Sequence, residues 1–378
     1  MSADVGPTSP PPPKATAAAP TRFAKAARLG VLKLVSSTLF VLACGHAAAP
    51  AAPTTTTPAA DPDPLRGAAG GTLVGTAVQS SYLTDTRYAA VFARHFNYVT
   101  AEYEMKWDPI ERTRGSEDFS GGDAIAAFAA AHAMQVKGHA LIWHHALPSW
   151  VSGLDAASLK VEFERHIRSV ASHYRGRVVA WDVVNEAIDD NGFGLRDSIF
   201  RQQLGDGYIA DAFRIAHDTD PQALLFYNDY GGEGLGGKSD AIYDLVRGLV
   251  AQGVPINGVG LQMHVRAGAP PSDTNVAANM RRIAALGLRV NISEMDVRVG
   301  DIGGATPANL DAQRAVYHSM TAACVAEPAC HGLTFWGFTD AHSWIYGQYG
   351  PDAPLLFDTL YAPKPAFFGV LAALRRQP

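Results

Sequence analysis

From Gly70 onward, short and nearly continuous apolar runs alternate with longer segments in which apolar residues return at helical spacing. Eight such runs begin near Thr72, Asn97, Val136, Val178, Ala223, Asn257, Arg289 and Gly332. Runs this short and this apolar suit strands buried on both faces, as in a parallel sheet; a half-solvated strand would alternate apolar with polar. Residues 122–134 and 159–174 read as amphipathic helices, and a third helix over 241–251 follows a glycine-rich loop and stops at Gly253-Val254-Pro255. Repeated βα units of this kind predict an α/β fold, a (β/α)8 TIM barrel. A doubly wound open sheet would give the same alternation, but the glycine-rich phosphate loop that usually opens one is not found.

In a closed barrel the reactive groups gather at the C-terminal ends of the strands. The second run leads into Glu102 and Lys106-Trp107, the third into His139, Trp143 and His144, and the fourth into Trp181-Asp182 and Asn185-Glu186. The fifth ends in Tyr227-Asn228-Asp229-Tyr230, the sixth in Gln262 and His264, the seventh in Glu294 and Asp296, and the eighth in Trp336, Asp340 and Trp344. Any one of these tryptophans, taken alone, is more often a core residue. A polar or aromatic group closing seven successive apolar strands is costly to explain as core filling, because buried charges need partners.

Two carboxylates on facing strands supply what glycosidic cleavage requires: one protonates the leaving oxygen while the other attacks or directs water. Glu186 and Glu294 fit those roles. Crowding among Glu186, Glu294 and Asp296 is expected to raise one carboxyl pKa at the expense of the others, and Gln262 and His264 are expected to hydrogen-bond to the nucleophile. The tryptophans would pack against the C–H faces of sugar rings.

Composition narrows the field. With 378 residues, 47% of them hydrophobic and 18% charged, the chain can bury one large core, and its formal net charge of -5 provides no basic field to draw nucleic acid or an anionic membrane. A neutral ligand fits better, and the chemistry above calls for no cofactor and no metal.

The front of the chain is different. Residues 1–14 are polar and proline-rich, Arg22, Lys25, Arg28 and Lys33 follow, and then comes an apolar run over 34–43 that is too short for an ordinary transmembrane helix. A secretory signal is the reading preferred over a buried helix. The run ends in Val41-Leu42-Ala43-Cys44-Gly45, which resembles the lipobox of bacterial lipoproteins, with Val41 where leucine is usual. Residues 1–44 are therefore expected to be a signal segment, with Cys44 acylated. Residues 45–69, rich in Ala, Pro and Thr, are expected to be an extended, disordered tether, and 70–378 to be the single catalytic domain. Cys324 and Cys330 are close enough in sequence to close a short loop in an oxidising compartment, leaving Cys44 unpaired; three free cytosolic thiols are the alternative. The chain is then expected to be exported, as a bacterial cell-envelope lipoprotein facing the periplasm or the cell surface, with the membrane reached only through the lipid, or otherwise to be secreted. Oligomeric state is left open.

Five segments carry a family resemblance: Ala101-Glu102-Tyr103-Glu104-Met105-Lys106-Trp107, Gly138-His139-Ala140-Leu141-Ile142-Trp143-His144, Trp181-Asp182-Val183-Val184-Asn185-Glu186, Ile292-Ser293-Glu294-Met295-Asp296 and Trp336-Gly337-Phe338-Thr339-Asp340. In this order they resemble family 10 glycoside hydrolases, mostly endo-1,4-β-xylanases, over roughly residues 73–374. The resemblance implies a retaining enzyme with Glu186 as acid/base and Glu294 as nucleophile, acting on xylan or xylo-oligosaccharides. It implies that Asn185 holds the 2-hydroxyl of the sugar at the cleavage site and that His264 and Asp296 orient the nucleophile. Lys106, His139, Trp143, Gln262, Trp336 and Trp344 are then expected around the same sugar, Glu102 at the next sugar outward, and Tyr230 on the leaving-group side. It also implies a Cys324–Cys330 disulfide.

Three positions depart from the family pattern. Tyr103 stands where asparagine is common, Ala146 where glutamine is common, and Gly231 where asparagine commonly follows the Tyr-Asn-Asp-Tyr run. The first two serve the glycone side, so that subsite is expected to be reshaped. Two alternatives accompany the xylanase reading: a family 10 enzyme tuned to a decorated xylan or another β-glycoside, and a catalytically silent carbohydrate-binding barrel, which fold alone does not exclude.

Overall fold

The computed structural model describes residues 63–376. Its strands are β1 (Leu73–Val78), β2 (Tyr98–Ala101), β3 (Gln135–Trp143), β4 (Ala180–Asn185), β5 (Leu224–Asp229), β6 (Gly258–Leu261), β7 (His264–Arg266), β8 (Arg289–Arg298) and β9 (Cys330–Phe335). Neighbours run β6-β5-β4-β3-β2-β1-β9-β8, all parallel, and β6 pairs with β8 to close eight strands into a barrel. All eight predicted runs form strands of this ring. β7 is an offshoot paired to the far end of β8, with His264 opposite Asp296. The sixth run is thus broken after Leu261, where Met263 takes a left-handed φ of 70° and the chain restarts as β7.

The predicted helices appear as Ser120–Ala131, Ala156–His173 and Gly237–Ala251. The second starts at an Asp155 cap whose carboxylate accepts from Ser158 N at 2.8 Å. The third begins earlier than the apolar periodicity suggests, taking up the end of the glycine-rich loop.

Two glycines in the barrel wall make room for large neighbours. A side chain at Gly138 would run into the Trp181 ring at 2.1 Å, and one at Gly260 would meet Asn228 Oδ1 at 2.1 Å. Both are set by cross-strand packing rather than by backbone conformation.

The boundary of the tether needs correcting. Instead of staying extended to residue 69, the chain folds into a short helix, Leu65–Ala68, with Leu65 fully buried. The Arg66 guanidinium donates at 3.1 Å to the carbonyls of Ala93, His132 and Ala133, which close the helices preceding β2 and β3. Leu65, the buried Ala69 and one five-donor side chain thus tie the entry segment to the fold. The signal segment, Cys44 and the tether up to residue 62 lie outside the described residues. Cys324 and Cys330 are joined by a disulfide, with Cα atoms 5.3 Å apart. Among the described residues no helix is long and apolar enough to cross a membrane, and no three side chains are grouped to hold a metal ion.

Candidate active site

At the C-terminal end of the barrel the strand-end residues converge. Glu186 follows β4 directly, with a left-handed φ of 58°, and its N–H donates to Asn228 O at 2.8 Å. That conformation is rare for a non-glycine residue and is tolerated where surrounding structure over-determines it. Glu186 Oε2 accepts from Trp143 Nε1 at 2.8 Å, and Oε1 accepts from Gln262 Nε2 at 3.0 Å and Asn185 Nδ2 at 3.2 Å. All three donors are neutral.

Glu294, buried in the middle of β8, has a different setting. Its Oε1 accepts from Asn228 Nδ2 at 2.6 Å and its Oε2 faces His264 Nε2 at 3.3 Å; His139 Nδ1 lies 3.9 Å from Oε1. Burial pushes this carboxyl up, but the charges of His139, His264 and Lys106, together with the His264 hydrogen bond, outweigh it and hold the pKa at about 2. His264 gains in return. Burial lowers its pKa, yet Asp296 Oδ2 at 2.8 Å from Nδ1, together with Glu294, raises it well above the usual histidine value. An imidazolium donating from both nitrogens thus stands between Asp296 and Glu294, which relieves the crowding expected between them. Trp344 Nε1 donates to the same Asp296 oxygen at 2.8 Å, fixing that carboxylate from the other side.

Aromatic rings wall the space above. Lys106 Nζ lies 4.5 Å from the Trp143 ring centroid and 5.9 Å from that of Trp336, which meets His139 edge-on at 5.0 Å. Burial lowers the Lys106 pKa while Glu294, Glu102 and Glu186 counter it. Partly buried Glu102 is pushed up to about 6 by desolvation, against the pull of Lys106 and Gln79. On the opposite flank, Tyr230 OH is hydrogen-bonded to Asp190 and accepts from Arg196 Nη2 at 3.1 Å, and Arg196 Nε donates to Glu186 O at 3.1 Å. Glu102, Lys106, His139, Trp143, Asn185, Tyr230, Gln262, His264, Trp336 and Trp344 are thus gathered with Glu186 and Glu294 at this one end of the barrel.

Several details differ from expectation. Gln262 turns its amide to Glu186 and to Asn185 Oδ1, 3.3 Å away, not to Glu294; only its backbone carbonyl meets Glu294, accepting from its N–H at 2.9 Å. The place foreseen for it is taken by Asn228, which the strand-end pattern contains but to which it gives no role. Asp182 accepts from His139 Nδ1 at 3.0 Å and is ion-paired to Lys137 Nζ at 2.7 Å inside the barrel. A lysine within the apolar run of β3 is the signal that could have exposed this pair. Asp340 turns away from the cavity to Lys364 Nζ at 2.7 Å. Arg196 has no signal in sequence, since it is one polar residue in a polar loop.

The three departures are also placed. Tyr103 OH donates to Asp108 Oδ2 at 2.9 Å, and Asp108 N donates to Ala146 O at 2.8 Å, so both positions bond to Asp108, one through its side chain and the other through its backbone. Gly231 has φ 69° and donates its N–H to Glu233 Oε1 at 3.0 Å.

Comparison with known proteins agrees with this geometry. The sequence model of Glycosyl hydrolase family 10 matches residues 65–373. An endo-1,4-β-xylanase of Agaricus bisporus is 38% identical over 308 residues, covering 80% of this chain and 91% of that protein. The crystal structure of native xylanase 10B from Thermotoga maritima matches with a TM-score of 0.80 at 37% identity, covering 83% of this chain and 98% of that one. Xylanase 10B from Thermotoga petrophila in complex with xylobiose matches with a TM-score of 0.80 at 36% identity, covering 84% and 98%. A family match over most of the chain, relatives of this similarity, and two carboxylates in contrasting settings at the C-terminal end of a closed barrel make this protein a member of glycoside hydrolase family 10.

Proposed function

We propose that the protein is a retaining endo-1,4-β-xylanase in which Glu294 is the nucleophile and Glu186 the acid/base. The observation that carries the assignment of roles is the contrast between the two carboxylates. Glu294 is held ionised by cations and a 2.6 Å amide contact, whereas Glu186 meets only neutral donors. An ionised carboxylate is what attack on the anomeric carbon needs, and a group free to carry a proton is what the leaving oxygen needs.

In the first step Glu294 forms a bond to the anomeric carbon as Glu186 gives its proton to the departing oxygen. In the second, water attacks the glycosyl-enzyme bond, Glu186 takes the water proton, and Glu294 leaves as carboxylate. Asn185, fixed by Asn228 Nδ2 at 2.9 Å, is set to receive the 2-hydroxyl, and Trp143, Trp336 and Trp344 to pack on the sugar face. The names of the relatives support xylan as the substrate. Following the anomers released from linear xylan by proton NMR tests the reading: β-product first is expected, and α-product, or full turnover by Glu294→Ala, overturns it.

The Tyr103–Asp108 hydrogen bond favours a second, narrower reading of the same activity, a glycone side altered in its preference. Tyr103→Asn assayed on linear and decorated xylans tests it, and an unchanged ratio rejects it. For the front of the chain, the lipobox-like segment supports export and acylation at Cys44. Mass spectrometry of the mature N-terminus is the check, and an unacylated or absent Cys44 refutes it.

A further inference from the structure

Phe193 is the most exposed large apolar side chain among the described residues, 92% accessible, and it stands at the tip of the loop after β4. Nothing in its own loop lets it escape water. The tip is a closed turn: Asp189 N donates to Gly194 O at 2.9 Å, Gly192 N to Asp189 O at 3.1 Å, and Phe193 N to Asp189 Oδ1 at 3.1 Å. Below it, Ile188 and Leu195 form a β-bridge. Gly192, at φ 72°, lies so close to the start of the Gly237–Ala251 helix that a side chain there would come within 2.8 Å of the Lys238 backbone. The phenyl ring is therefore displayed by a braced support.

The base of this loop adjoins Glu186 and Tyr230, which the proposed reading puts on the leaving-group side of the cleft. Arg196 ties it to Glu186 O, to Asp190 Oδ1 at 2.7 Å and to Tyr230 OH, and Asp190, three residues before Phe193, is itself bonded to Tyr230. The next loop carries a second exposed apolar tip, Leu235, 47% accessible. An apolar ring held out in water on a fixed turn forfeits the gain of burial unless a partner covers it. Continuity with Tyr230 makes the departing sugar chain that partner, because pentose rings offer flat C–H faces to aromatic surfaces.

We propose that Phe193 is the platform of an outer subsite on the leaving-group side, beyond Tyr230, which stacks one ring of a β-1,4-linked pentose chain. This rests on the xylanase reading and adds a preference for chains long enough to reach the loop tip. It also explains why the turn is closed: a mobile platform would lose in ordering entropy what stacking provides.

The test is kcat/KM for wild type, Phe193→Ala and Phe193→Trp on xylo-oligosaccharides of increasing length, with an aryl β-xylobioside, whose leaving group is a phenol, as the internal reference. For Phe193→Ala the expected result is a loss of roughly two- to tenfold, carried by KM, that appears only on the longer chains, with Phe193→Trp restoring them. Equal loss at every length, or no loss at any length in an otherwise active enzyme, overturns the subsite alone. A wild type that cleaves no xylo-oligosaccharide removes the activity and the subsite together. A change in sedimentation of Phe193→Ala with no chain-length effect assigns the ring to a contact between copies of the chain, and likewise overturns the proposal.

Discussion

Asn228 and Glu294 meet through a single amide nitrogen, Nδ2, which donates to the carboxylate at 2.6 Å while also lying 2.9 Å from Asn185 Oδ1. The other end of the same amide accepts from Ser293 Oγ at 2.6 Å. A hydroxyl donor on the oxygen side leaves the nitrogen no orientation except toward the carboxylate and Asn185. One buried amide thereby links the surroundings of both glutamates.

Replacing Asn228 by Ala should lower kcat by about 10- to 1,000-fold with a smaller change in KM, because a preorganised donor to a reacting carboxylate is lost. Steady-state kinetics on a xylo-oligosaccharide reads this out. A variant within twofold of wild type would remove Asn228 from the chemistry.

Removing the His264 imidazolium takes away part of what holds Glu294 at about 2, so in His264→Ala the carboxyl pKa rises and the acid limb of the kcat/KM profile moves to higher pH. The same histidine has a stability signature. Its pKa is raised in the fold, so its contribution is fully present below its ordinary value of 6.5 and is lost as pH rises through the folded value. Thermal unfolding followed from neutral to alkaline pH should show that decline in wild type and not in the variant.

The Lys137–Asp182 pair is almost wholly buried, with side-chain exposures of 2% and 1%. Lys137→Met leaves the buried Asp182 with only its His139 hydrogen bond and should destabilise the fold by about 3–5 kcal/mol, while Lys137→Met with Asp182→Asn should recover much of that loss. Urea denaturation of the single and double variants measures both. The activity of the double variant then reports what Asp182 contributes through His139.

Gly260→Ala should impair activity and stability together, with a stability cost of about 1–3 kcal/mol, since the added methyl would sit 2.1 Å from Asn228 Oδ1. Combining it with Asn228→Ala should relieve part of the stability cost but none of the activity loss. Denaturation and turnover measured across this double-mutant cycle separate the two effects.

The barrel was legible because strands buried on both faces write themselves as unbroken apolar runs, and a closed ring places their polar ends at one mouth. Glu186 and Glu294 could be singled out because each ends or interrupts such a run with a charge that needs partners. What the pattern could not supply was direction. Gln262 is expected to serve Glu294, yet its amide turns to Glu186, and the left-handed Met263 that follows it is invisible to apolar periodicity. Asn228 was present in a polar cluster but indistinguishable from Asp229 beside it until the fold showed which faced the cavity. Lys137 was a missed clue, since a lysine inside a buried strand demands a carboxylate nearby. The Leu65–Ala68 helix escaped notice because its burial depends on contacts with residues far along the chain.

Arg66 has a geometric consequence for the first described residues. Its three carbonyl partners close helices that feed into β2 and β3, so the chain enters the barrel at the face opposite Glu186 and Glu294. Changes at Leu65 or Arg66 would therefore act on the closed end of the barrel and on its stability, at a distance from the two glutamates.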